Sequence, residues 1–134
     1  MSKYLWAYAG AAALFVIADA IWLGLVARDF YKNQLGDLLS DRPVWSVAVA
    51  FYLLYLVGLV IFGVSPGLQA SSMTTAVLYG ALFGFFAYAT YDLTNLATLK
   101  NWPVTMSVVD MAWGTVLSGS ASAAGYWLAS RMSG

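Results

Sequence analysis

Residues 44–66 run without a single charged side chain. A helix needs roughly 20 mostly apolar residues to cross the hydrocarbon core of a bilayer, and this run satisfies that length without interruption. Three further stretches, 4–27, 73–99 and 104–129, are as long and apolar, and each carries one aspartate inside. Pro43, Pro66 and Pro103 fall at the junctions between these runs, where helix breakers belong. The pattern predicts spans at 4–27, 44–64, 73–99 and 104–129. Short connections make such helices antiparallel neighbours. The expected architecture is therefore all-α, a polytopic antiparallel bundle of four transmembrane helices forming one domain.

Composition agrees and narrows the chemistry. Charged residues are 9% of the chain, against about 25% in a soluble domain. Six Lys and Arg balance six acids, all aspartate, so no basic footprint for nucleic acid is present. There is no histidine and no cysteine, which argues against haem, thiolate zinc and iron–sulfur ligation. No metal site and no cofactor are expected. Lys3 followed by an apolar run mimics a signal peptide, but the run continues through residues 21–26, past any plausible cleavage site, and reads as a retained helix.

Loop charges set the orientation. Arg28, Lys32, Arg42 and Lys100 lie on the side of the first and third loops, against Lys3 and Arg131 on the other. This asymmetry favours termini outside and loops one and three in the cytoplasm. Tyr4, Trp6, Tyr126 and Trp127 on one side, and Tyr31, Trp45 and Trp102 on the other, read as interfacial aromatic belts. Within residues 28–42, Tyr31, Leu35, Leu38 and Leu39 recur at helical spacing. They predict a short interfacial helix between helices 1 and 2, weakened by Gly36, that either closes the bundle end or covers a site beneath it.

The three intramembrane aspartates carry the functional signal. Asp19 and Asp92 each lie about 12 Å from the end of their helix, and Asp110 about 10 Å, at 1.5 Å rise per residue. All three ends face one side of the membrane, so the carboxylates occupy one layer. An ionised Asp at mid-bilayer costs about 2.5–3.5 kcal/mol even on insertion scales. The three must then face the bundle interior, and no basic side chain inside the spans can neutralise them. Sharing of at least one proton is expected, the layer titrating as a unit.

Candidate partners surround them. Gly80, Gly84, Tyr88, Asp92 and Asn95 form one stripe of span three, with Tyr91 alongside. Its upper half allows close helix approach and its lower half is polar. In span four, Gly114, Ser118 and Ser122 make a small-residue ridge. Asp19 and Trp22, like Asp110 and Trp113, stand in a D-x-x-W spacing that puts carboxylate and indole on one face. Each indole N–H is then placed to donate to the other span's carboxylate. Span two, without charge, is expected to be the most lipid-exposed, with Leu59 on its lipid face.

The segments ADAIWLGLV (18–26), FYKNQLGDLL (30–39), YATYDLTNLATLKNWP (88–103) and VVDMAWGTVL (108–117) resemble the DUF2177 family of small bacterial membrane proteins. The resemblance covers nearly the whole chain. It implies four transmembrane helices in the bacterial cytoplasmic (inner) membrane, and it supplies no function. Carried over by motif, its signature positions are Asp19, Trp22, Asp92, Thr94, Asn95, Asp110 and Trp113.

Three functions fit these residues. The first is proton-linked binding or transport of a small cationic or amphipathic solute at Asp19, Trp22, Tyr88, Tyr91, Asp92, Thr94, Asn95, Asp110 and Trp113. Four helices are few for a complete pathway, so homo-oligomerisation in the lipid bilayer is expected with it. The second is a membrane-embedded enzyme on a lipid or isoprenoid, two Asp acting as acid and base or all three holding Mg²⁺. The third is an accessory subunit whose polar layer only fixes packing.

Overall fold

The computed structural model describes residues 2–133. They form helices and short connections, with no strand among the described residues. Helix α1 (Lys3–Ile21) starts at Ser2, whose hydroxyl accepts from the Tyr4 N–H. It continues into a π-type turn at Trp22–Val26, closed by Ala27 N–H donating to the Trp22 carbonyl. Helix α2 (Arg28–Leu35) follows at once and stops where Gly36 takes a positive φ of 53°, a conformation glycine adopts without steric cost. The short helix between the first two spans is thus present, and a single tighter turn, Gly36–Leu38, carries it on to Leu38.

Helix α3 (Trp45–Leu59) leads through a second π-type turn, Val60–Val64, into α4 (Ser65–Ala70). Here the structure corrects the placement of Pro66 at a junction, because the helix continues past it to Ala70. A proline ring clashes with the carbonyl four residues earlier. The wide turn just before it, with Ser65 N–H bonded back to Val60, takes up that displacement. The true break comes at Ser71, in the left-handed region, and Ser72 caps the next helix through Thr75 N–H. Helix α5 spans Met73–Thr98, and α6 spans Val104–Met132 after Pro103.

Three helical stretches are long and apolar enough to cross a membrane: Lys3–Val26, Trp45–Ala70 and Met73–Thr98. Helix α6, 29 residues and about 43 Å long, is the fourth long helix and more polar. It is also central, packing most extensively on α5 and next on α1. Gly114, Ser118, Gly119, Ser122 and Gly125 are all buried in these contacts. A helix sheathed by its neighbours can dispense with bulky apolar side chains, which explains its composition.

The α5–α6 seam confirms the role of the small residues. A Cβ on Gly84 would lie 2.4 Å from the Gly114 carbonyl oxygen, and one on Gly80 would lie 2.3 Å from Ser122 Cβ. The two backbones therefore touch. Ser122 donates to the Ala76 carbonyl at 2.7 Å, and Ser118 pairs with the Tyr55 hydroxyl at 2.6 Å, so these buried hydroxyls are satisfied.

Span two is not the free lipid-facing helix expected from its composition. Tyr55, Leu56, Leu59, Val60 and Val64 are all buried, and Leu59 belongs to the main core cluster with Phe15 and Leu117. The N-terminal half of α3 holds no buried residue, and Trp45, Val47, Val49 and Phe51 are exposed there. The helix thus has a buried core face and an exposed apolar face at once. Its divergence at the N-terminal end opens the space that the functional residues line.

Candidate functional site

That space is a cavity of about 410 Å³ bounded by all the long helices and by α2. Its depth follows from the helix registers: Ala48, Phe51 and Tyr52 lie within the first turns of α3, while Asp19 and Leu23 sit near the end of the first span. Tyr88 is held by contact, since its ring lies directly over Gly114, where a Cβ would come within 2.2 Å of Tyr88 Cγ. Any side chain at 114 would push this ring into the cavity.

Asp19 is buried, with 7% of its surface exposed, and both of its oxygens accept hydrogen bonds. Trp113 Nε1 donates to Oδ1 at 3.1 Å, and the Tyr52 hydroxyl donates to Oδ2 at 2.5 Å. The sequence pattern anticipated the first of these. Its mirror image is made indirectly. Trp22 Nε1 donates to the Tyr31 hydroxyl at 3.1 Å, and Tyr31 donates to Asp110 Oδ1 at 2.9 Å. Each D-x-x-W pair therefore serves the carboxylate of the other helix, once directly and once through a phenol. The two indoles stack between the helices at 4.3 Å.

Tyr31 was read from the sequence as a belt aromatic, and Tyr52 carried no distinguishing mark within its apolar run. Both prove to be carboxylate donors. A phenol within a buried apolar helix requires a hydrogen-bond partner, and this was the available signal for Tyr52. For Tyr31 the available signal was its place on the apolar stripe of the short helix, which allowed that helix to cover a site beneath it. Tyr31 is partly buried, and loss of hydration pushes its phenol well above the usual tyrosine range. It remains a donor at any neutral pH.

Asp92 is different. It is fully buried, and no N–H or hydroxyl group of the described residues reaches either oxygen; its side-chain partner is the carboxyl of Asp110. It lies within electrostatic reach of Asp110 and Tyr91 but does not line the cavity. Tyr88, Tyr91, Asp110 and Trp113 do line it, with Asp19. Trp22 stands one contact behind them through Tyr31. Thr94 turns back to its own helix, bonding the Thr90 and Tyr91 carbonyls, and is exposed. Asn95 is partly buried outside the cavity lining. No cluster of metal-ligating side chains is present among the described residues.

Chemically, the cavity combines two carboxylates with the rings of Tyr31, Phe51, Tyr52, Tyr88, Tyr91 and Trp113, and no basic side chain lines it. Neither the curated proteins nor the solved structures contain a match to the chain. A family described as predicted membrane protein does match, over residues 4–127 of the 134. The stretch matched holds every carboxylate, indole and phenol of the cavity, and the chain belongs to the DUF2177 family of membrane proteins.

Proposed function

We propose that this protein is a multi-pass protein of the bacterial inner membrane, with α6 as its fourth span. In this reading it binds, and as a homo-oligomer transports, a small cationic or amphipathic solute in exchange for a proton. The observation that carries the reading is the pairing of Asp19 and Asp110 in one aromatic-walled cavity of about 410 Å³ without a basic neighbour. That volume falls within the usual range for small-molecule sites. Intramembrane carboxylates ordinarily mark ion, proton or substrate pathways, and aromatic faces attract organic cations most strongly where water is excluded. Asp19, Asp110, Trp113, Tyr88 and Tyr91 are the contact residues, with Trp22 and Tyr31 orienting Asp110. Asp92 supplies the buried acid adjoining the pair.

The test uses purified protein in lipid nanodiscs and benzyltrimethylammonium as the probe, followed by tryptophan fluorescence. Quenching should saturate and weaken as pH falls, because the cation and the proton compete for the same carboxylates. Asp19→Asn and Asp110→Asn should each weaken binding by about tenfold or more, the loss of one charge attraction in a poorly solvated site. Binding that ignores both substitutions would overturn the reading.

A further inference from the structure

We infer that the cavity is open to the bilayer and closed to the water on its loop side, so that its ligand is a membrane-dissolved cationic amphiphile. The inference rests on the binding reading above and adds the route and the class of molecule. Three lining residues are also strongly exposed: Leu23 at 46%, Phe51 at 50% and Tyr91 at 55%. They come from three different helices. Leu23 and Phe51 each continue along their helix into further exposed apolar side chains, Leu25 and Val26 in one case and Val47 and Leu54 in the other. Phe51 is six residues, about 9 Å, inside the start of α3. This mouth thus lies below the helix ends, at the depth where headgroups give way to acyl chains.

The loop side is shut by a different kind of contact. Tyr31, on α2, lines the cavity and is hydrogen-bonded to Trp22 on one side and to Asp110 on the other. Two bonds from one hydroxyl tie α2 across the end of α1 and onto α6. A solute arriving from water through this side must break both, whereas one arriving from the bilayer meets only apolar rims. The two walls also differ in chemistry along one line: carboxylates at Asp19 and Asp110 inside, apolar surface at Leu23 and Phe51 outside. A molecule with a cationic head and an alkyl tail matches that sequence, its head among the carboxylates and its tail leaving between α1 and α3 into the lipid.

The experiment uses full-length protein in phosphatidylcholine nanodiscs and a dodecyltrimethylammonium carrying a photoreactive diazirine at the end of its tail. Cross-linked residues are mapped by mass spectrometry, and tryptophan quenching reports binding independently. The expected result is labelling of the exposed faces around Leu23 and Phe51. It should fall about tenfold with excess unlabelled dodecyltrimethylammonium and to a similar extent in Asp19→Asn. Tyr31→Phe, which removes both bonds that shut the loop side, should admit tetramethylammonium more readily than wild type does. Quenching that depends on Asp19, with labels confined to α2 and the loop side, would overturn access from the bilayer while leaving the binding site intact. Absence of any Asp19-dependent quenching or labelling would overturn both.

Discussion

The indoles of Trp22 and Trp113 lie face to face, 4.3 Å between ring centroids and 7° from parallel, and their N–H groups leave the stack toward different carboxylates. Stacked aromatic pairs contribute about 0.5–1.5 kcal/mol beyond the area they bury. Here the stack also aims two donors, one at Asp19 and one, through Tyr31, at Asp110. At the level of the site, one contact therefore both packs the first long helix on the last and orients the donors to the carboxylates.

Replacing Trp113 by Phe keeps a ring in the stack and removes the donor to Asp19. The loss should be about 1.5–3 kcal/mol, the range for a hydrogen bond to a charged group. Trp22→Phe removes a donor to a neutral hydroxyl and should cost about 0.5–1.5 kcal/mol. Thermal and denaturant unfolding in micelles would measure both, and a larger loss for Trp22→Phe would contradict the assignment of donors.

Gly84→Leu should prevent assembly of α5 on α6, since even a Cβ there meets the Gly114 carbonyl and the Ser118 hydroxyl at 2.4 Å. Leu54→Phe, at a position 72% exposed, should change stability by less than about 0.5 kcal/mol. Comparing monodisperse yield and melting in detergent tests the pair. Equal tolerance would mean that the α5–α6 seam is not the backbone of the fold.

Tyr31 predicts a pH response. Burial raises its phenol above the unfolded value, so the folded state keeps its proton where the unfolded state has lost it. Stability tied to this group is then complete below the ordinary tyrosine range and declines as pH rises through it. Docking of α2, followed by hydrogen exchange of its amides, should weaken in alkali in the wild type. In Tyr31→Phe exchange should be faster at neutral pH and lack that alkaline step.

Asp92→Asn should leave stability within about 1 kcal/mol of wild type, because an amide can still donate to the Asp110 carboxylate beside it and no N–H or hydroxyl bond is lost. Asp19→Asn gives up charge-assisted bonds from Tyr52 and Trp113 and should cost about 1.5–3 kcal/mol. Melting of the two variants at neutral pH separates them. An equal loss at Asp92 would reveal a structural role for that carboxyl.

Much of this protein follows from its residues in order. Apolar run length marks the helices long and apolar enough to cross a membrane, and the cost of a carboxylate in hydrocarbon accounts for the burial of Asp19 and Asp92. The D-x-x-W spacing set Trp113 beside Asp110, and Trp22 beside Asp19, on one face of their helices, which made each indole a candidate donor for the other helix's carboxylate. Gly80 and Gly84 announced a close seam, because only missing side chains allow backbones to meet.

Tertiary structure decided the rest, for one physical reason: hydrogen bonds between helices depend on rotation and separation that no local pattern encodes. Tyr52 and Tyr31 find Asp19 and Asp110 across 33 and 79 residues of chain. Pro66 stays inside a helix because a π-type turn absorbs its ring. Span two, uniform in hydropathy, buries one face and exposes the other, and an all-apolar helix carries no moment to choose between them. The neighbours choose for it, and where α3 leaves them the cavity opens.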